Sequence, residues 1–267
     1  MDTRLKDKVV IVTGGASGIG LSVVNSLLEE RAIPVIVDMD RRKIKRLDRR
    51  LIDERKKHLV IYEDLTREEA CSRAVVNTIE RYGKIDVLIN NAGGNDFLDI
   101  DSTDPKEFRA SLERNLVQTY SMTHFAWPHL KISKGNIVFV SSKVALVGEG
   151  RTTAYAAGKA GMIGLTRELA TKSCNEGLGI RVNCVLPGEV DTPKRTAWLK
   201  RTYGSKSAGE EAIAYRVPLG NRPTSTREVA SIVVFLSSNY SAGHMTGQLL
   251  HPDGGYTHID RNVQRGK

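Results

Sequence analysis

Cysteine is scarce in this chain, and what there is does not pair. Cys71, Cys174 and Cys184 show neither a CxxC pair nor a metal-ligand spacing, which speaks against a disulfide framework or a metal site and for reduced, mostly buried thiols. Long apolar runs are missing as well. Nothing approaches the ~18 residues that span a bilayer, and the opening MDTRLKDKVV lacks the apolar core of a secretory signal. The expectation is a soluble, cytoplasmic protein with no membrane partner and no metal. No internal repeat or low-complexity segment interrupts the pattern.

Charge is plentiful but uneven. The formal net charge is +9, and residues 41 to 57, RRKIKRLDRRLIDERKK, hold ten Lys or Arg against three acids, so this one segment contributes +7 and leaves +2 for the rest. Ile44, Leu47 and Leu51 recur there at helical spacing, the pattern of a surface helix with one buried stripe and a solvated outer face. No interleaved aromatics accompany it, so nucleic acid is not an expected partner.

What the chain does contain is alternation. Short β-rich runs, KVVIVT (8–13), IPVIVD (33–38), HLVIY (58–62), DVLIN (86–90), NIVFVSS (136–142) and IRVNCVL (180–186), are separated by segments long enough for helices. Near-continuous apolar strands joined by helices imply a parallel sheet covered on both faces. The predicted fold is doubly wound, Rossmann-like α/β, with residues 1–267 forming a single domain. The least patterned stretch, 193–217 with TYGSKSAGEE at its middle, is expected to be a mobile flap over a substrate.

The first strand runs directly into TGGASGIG. Gly14, Gly18 and Gly20 allow a tight turn and a close backbone approach to a pyrophosphate at a helix N-terminus. The second strand ends in Asp38, 18 residues beyond Gly20, where a carboxylate accepts from an adenosine ribose and repels a 2′-phosphate. NAD is therefore the expected cofactor, with Arg41 and Arg42 close enough to keep NADP as the alternative. Asp64 suits either an adenine contact or a local bond near Thr66. NNAGG (90–94) offers small residues at the carboxyl end of the fourth strand, where ligands collect in such sheets.

Tyr155 and Lys159 are four apart and share a helix face. Ser142 lies at a strand end and Asn115 in the preceding helical segment. With TGGASGIG, Asp64, NNAG and PGEVDT (187–192), these residues give the chain a pattern that resembles the short-chain dehydrogenase/reductase family over nearly its whole length. A phenol titrates near 10, so a tyrosine base needs its anion favoured by roughly 4 kcal/mol near neutral pH. Lys159 supplies positive charge for that, and Ser142 suits the substrate oxygen. The resemblance implies that Asn115 holds a water in a proton relay through Lys159. It also implies cofactor contacts from Ser17, Ile19, Leu65, Asn91, Ala92, Gly93, Pro187, Gly188, Val190 and Thr192. Gly158 departs from the Ser, Thr or Ala common in relatives, and is expected to alter local packing only.

The substrate must be read from the loops. Asn95, Asp96, Lys143, Glu149, Arg151 and Glu189 all fall at the carboxyl edge of the sheet, and such polar groups suit a hydroxyl-rich substrate better than an acyl chain or steroid. SLERNL, SSK, EVDTP and DGGYTHIDR are similar to the family's NAD-dependent sugar dehydrogenase subgroup, which includes L-fucose dehydrogenase. The resemblance implies oxidation of the anomeric hydroxyl of an aldose, L-fucose or a related sugar, to a lactone. Two alternatives stand: a 3-oxoacyl or other ketone reductase of the same family, and a non-catalytic NAD-binding sensor. The resemblance further implies a homotetramer, with His258 or Arg261 as candidates to reach a neighbour's site.

Overall fold

Apolar residues run unbroken through the strands because both faces of the central sheet are covered. The protein's structure, a computed structural model, describes residues 3–259. The main sheet takes β1 (Val9–Thr13), β2 (Ile33–Asp38), β3 (Leu59–Tyr62), β4 (Val87–Asn90), β5 (Asn136–Val140), β6 (Arg181–Val185) and β9 (Leu249–Leu250). All pair in parallel, in the order β3-β2-β1-β4-β5-β6-β9. The order reverses between β1 and β4, which opens the crevice in which such sheets bind ligands. β7 (Val190–Asp191) and β8 (Thr224–Ser225) form a separate parallel pair.

Alternate residues of β1 serve two cores. Val10 and Val12 belong to a core shared with α1 (Gly18–Glu29), α2 (Arg41–Asp53) and α9 (Thr226–Ser237), whereas Val9 and Ile11 belong to one shared with α3 (Glu68–Tyr82), α5 (Gln118–Ser133) and α6 (Thr153–Asn175). The helix α4 (Pro105–Leu112) is capped by Asp104 and leads through a π-turn, Glu113–Val117, into α5. On α2, Ile44, Leu47 and Leu51 are buried while Arg42, Lys45, Arg46 and Arg49 are exposed, the amphipathic helix expected from spacing. Cys71 and Cys184 are buried thiols and Cys174 is exposed. No helix among the described residues is long and apolar enough to cross a membrane.

The least patterned stretch of the sequence, residues 193–217, is largely helical: it forms α7 (Pro193–Tyr203), α8 (Lys206–Ile213) and a short 3₁₀ turn, Ala214–Arg216. Gly204, at φ +82°, ends α7, and the Ser205 hydroxyl accepts from the Ala208 amide to start α8. The glycine and serine that read as loop composition are a stop and a start.

Candidate active site

The cleft floor is built by glycines that let three strand ends converge. Gly14 and Gly18 take left-handed backbone, at φ +64° and +55°, which other residues adopt at a cost. A side chain at Gly20 would collide with the Gly14 carbonyl and come within 2.6 Å of the Asn91 amide. Asn91 Nδ2 donates to the Thr13 and Gly14 carbonyls at 3.0 and 3.2 Å. The Thr13 hydroxyl accepts from the Asn91 and Ala92 amides at 3.0 Å. The segment after β4 is thereby stitched to the loop after β1. Ser17 precedes α1 without a side-chain cap, and the first turn holds no acid, so its amides and positive dipole remain for an anion. Ile19 packs into the core behind it.

Asp38 ends β2 beside this loop, its two carboxylate oxygens accepting from the Ala16 and Asp40 amides at 3.0 Å. Asp64 spends one oxygen locally, on the Thr66 amide and hydroxyl at 3.1 and 2.8 Å, while Leu65 is buried. Thr192 stands on the opposite wall, its methyl group 3.7 Å from where a side chain on Gly18 would begin. Pro187 and Gly188 lead to Val190, and Gly188 is backed by Asp253, whose Cβ would lie 2.8 Å from a side chain there. A cradle of left-handed glycines, unspent helix amides and a carboxylate at the second strand fits a dinucleotide. The Gly14–Gly20 loop could hold its phosphates, Asp38 its adenosine ribose, and the 91–93 and 187–192 segments its nicotinamide end.

Asn115, Ser142, Tyr155 and Lys159 come together at the far end of this cleft. The π-turn turns Asn115 inward, a common use of such turns. It is fully buried, donating to the Ser111 and Gly94 carbonyls at 3.0 and 3.2 Å and accepting from the Gly94 amide at 2.9 Å. Gly93, at φ +143°, lets the Asn115 carbonyl and the Lys159 ammonium approach one backbone position: a side chain there would meet them at 2.7 and 3.5 Å. Gly158 permits the contact from the α6 side, since a Cβ on it would lie 3.0 Å from that of Asn115. Its packing difference falls on the site itself.

Lys159 is 3% exposed, donates to the Val140 carbonyl at 2.8 Å, and has no carboxylate partner among the described residues. Burial brings its pKa down to about 8, with Cys184 raising it and Lys194 lowering it further. Its Nζ lies 5.7 Å from the Tyr155 ring. Burial pushes the Tyr155 phenol up to about 12, against which the hydrogen bond with Ser142 favours the anion; Glu149 and Asp96 raise it and Lys143 lowers it. Ser142 begins a 3₁₀ turn, Lys143–Ala145, and the neighbouring Ser141 hydroxyl donates to the Lys159 carbonyl at 2.8 Å, tying the end of β5 to α6.

The substrate candidates divide. Lys143 is buried between Glu149 and Glu189, at 2.7 and 2.8 Å, with its ammonium 3.5 Å from the centroid of the Tyr256 ring. Asp96 accepts from Ser111 at 2.6 Å and pairs with Arg114 at 3.0 Å, while Asn95 caps the Phe97 amide at 2.8 Å. Arg151 is exposed and joins none of these groups. His258 stands edge-on to His251, with ring centres 4.6 Å apart, and Arg261 lies outside the described residues. Sequence reasoning missed Lys194, whose ammonium lies against Gly94, and Arg195, which joins Glu189 to Glu210. It also missed the stacking of Phe97 on Trp198 of α7, at 6.2 Å. No spacing rule links these positions; they meet only once α7 folds across the cleft.

Known proteins place the chain among relatives of this architecture. The family model described as short chain dehydrogenase matches residues 8–202. L-fucose dehydrogenase of Bos taurus is 36% identical over 96% of this chain and 91% of its own length. The 3-oxoacyl-[acyl-carrier-protein] reductase FabG of Thermotoga maritima is 33% identical over 94% and 98%. Among solved structures, Cj0485 dehydrogenase superposes with a TM-score of 0.92 at 38% identity, covering 98% of this chain and 99% of its own. Aldohexose dehydrogenase of Thermoplasma acidophilum gives 0.87 at 28% identity over the whole of both chains.

Proposed function

The chain belongs to the short-chain dehydrogenase family and is an oxidoreductase; on that footing we propose that it uses NAD to oxidise the anomeric hydroxyl of an aldose, L-fucose or a sugar of related stereochemistry, to a lactone. The observation that carries this reading is the near full-length similarity to L-fucose dehydrogenase. The polar wall of Lys143, Glu149 and Glu189 beside Ser142 supports it, since unpaired hydroxyls entering such a wall gain partners and an acyl chain would not. Asp38, a carboxylate with no cation bonded to it among the described residues, supports NAD over NADP, because a 2′-phosphate would meet like charge.

The Gly14–Gly20 loop would hold an oxidised nicotinamide dinucleotide, which would supply the hydride acceptor and a further positive charge. Ser142 donates to the sugar oxygen, and Tyr155 Oη takes its proton. A phenol held near 12 by burial is scarcely ionised at neutral pH until cations offset that burial; Lys143 already opposes it, and Lys159, 5.7 Å from the ring, is a second buried ammonium that can. Lys159 and Asn115, brought to one backbone position at Gly93, then pass the proton outward.

A second reading, reduction of a 3-oxoacyl or other ketone substrate, is favoured by the similarity to FabG. The deciding experiment compares NAD reduction with L-fucose, L-galactose and D-arabinose against NADPH oxidation with an acetoacetyl thioester. Turnover with an aldose and NAD supports the first reading; turnover confined to the thioester supports the second and defeats the first.

A further inference from the structure

The charged groups at the Ser142 end of the cleft do not stop at Glu189. Arg195, on the first turn of α7, places its Nε 3.3 Å from Glu189 and its two terminal nitrogens 2.6 and 2.9 Å from the two oxygens of Glu210 on α8. Glu189 holds Lys143, and Lys143 holds Glu149. Five charged side chains therefore form one chain across four segments: α8, α7, the 187–192 loop, and the stretch that follows the Ser142 hydroxyl. Side-chain exposure is 3% at Lys143, 8% at Arg195 and 15% at Glu189, rising to 25% and 28% at the ends, Glu210 and Glu149.

Such a ladder is a poor device for stability alone, because desolvating five charges consumes most of what their pairing returns. It is a good device for placement. A bidentate Arg–carboxylate pair fixes orientation as well as distance, and the Arg195–Glu210 link is of that kind. Its inner end adjoins the reacting groups: Lys143 follows Ser142 directly, its amide donates to the Pro187 carbonyl at 2.9 Å, and the charges of both Lys143 and Glu149 reach the Tyr155 phenol.

We propose that Arg195 and Glu210 are positioning residues that act through Glu189 and Lys143 on how a substrate lies at Ser142. The Arg195 side chain reaches the 187–192 segment through Glu189 alone, and its amide, which a side-chain substitution leaves in place, donates to the Thr192 hydroxyl at 3.1 Å. The pair is a specificity device separable from dinucleotide binding, and it rests on the reading of the Ser142 end as the substrate end.

The test compares wild type with Glu210→Gln, Arg195→Met and Arg195→Lys as full-length proteins. It measures sugar KM and kcat, NAD affinity by titration, and hydrogen exchange across 142–151. Glu210→Gln and Arg195→Met are expected to raise sugar KM roughly tenfold, the loss of about one charge-assisted bond, with NAD affinity within about twofold of wild type. Exchange across 142–151 should quicken although the substitution lies far along the chain. Arg195→Lys, which keeps the charge and loses the fork, should fall between. Glu210 is the outer and more exposed partner, so Glu210→Gln keeps the test informative if Arg195→Met does not fold. Unchanged KM with unchanged exchange at 142–151 would overturn the proposal, as would a loss of NAD affinity equal to the rise in KM. A wild type that oxidises no aldose defeats the sugar reading instead, and the exchange measurement still decides the ladder.

Discussion

Replacing Lys159 by Met should make the cofactor-free protein more stable while abolishing its chemistry. Lys159 is buried, bonded to one carbonyl and, among the described residues, paired with no carboxylate; burial lowers its pKa from 10.5 to about 8. Keeping that ammonium charged at neutral pH costs about 3 kcal/mol, the free-energy equivalent of the drop. Methionine has a similar unbranched reach and enters a site already touched by Met162, forfeiting about 1 kcal/mol for the bond to Val140. The expected net gain is about 2 kcal/mol at pH 7, read from urea unfolding of both proteins freed of dinucleotide. The sign with pH follows from the depressed pKa. Between about 8 and 10.5 the unfolded chain holds more protons than the folded one, so wild type gains stability as pH rises through that window. The advantage of Lys159→Met should fade over the same interval, and Tyr155, present in both proteins, cancels from the difference. A variant less stable than wild type at pH 7, or a difference that ignores pH, would refute the reasoning.

Tyr155→Phe should bind NAD as wild type does and keep under about a tenth of the turnover, since a positioned base is worth 10²-fold or more; greater retention in a steady-state assay removes the base role. Asp38→Asn should raise the NADP-to-NAD ratio of kcat/KM roughly tenfold, or ~1.4 kcal/mol, by lifting the repulsion of a 2′-phosphate; an unchanged ratio argues against that role. Gly20→Ala drives a methyl group into the Gly14 carbonyl and should cost about 2 kcal/mol in stability and weaken dinucleotide binding at least ~10-fold. Fluorescence titration beside denaturant unfolding reads both effects, and a variant that binds normally shows that the loop is not the cradle.

The strands were legible because burial on both faces removes polar residues from them, so apolar runs such as VVIVT and NIVFV stand out wherever they occur. The α2 stripe of Ile44, Leu47 and Leu51 was legible for the converse reason: one face is dry and the other wet. β7, β8 and β9 escaped because two-residue strands carry no period. The α7–α8 pair escaped because Gly204 and Ser205 are loop residues by composition and helix boundaries by position. At the site, Tyr155 and Lys159 share one helix and could be paired by counting. The Glu210–Arg195–Glu189–Lys143–Glu149 ladder could not, since its members are joined through tertiary packing. The polar residues near Ser142 were identified as a group from their place at the sheet edge; that Lys143, Glu149 and Glu189 bond one another is a property of the fold.

The backing of Gly188 by Asp253 has a consequence for synthesis. β9 and the Asp253 turn are among the last described segments of the chain, yet β9 pairs with β6 and Asp253 supports the loop that follows it. A chain emerging from the ribosome can pair β1 through β6 and still lack the wall against which Gly188 rests. Dinucleotide capture should therefore be a late event, available as a ligand-driven trap for the finished fold rather than as a template for the nascent one. Any truncation that removes residues 249–253 should leave a sheet without a working cleft.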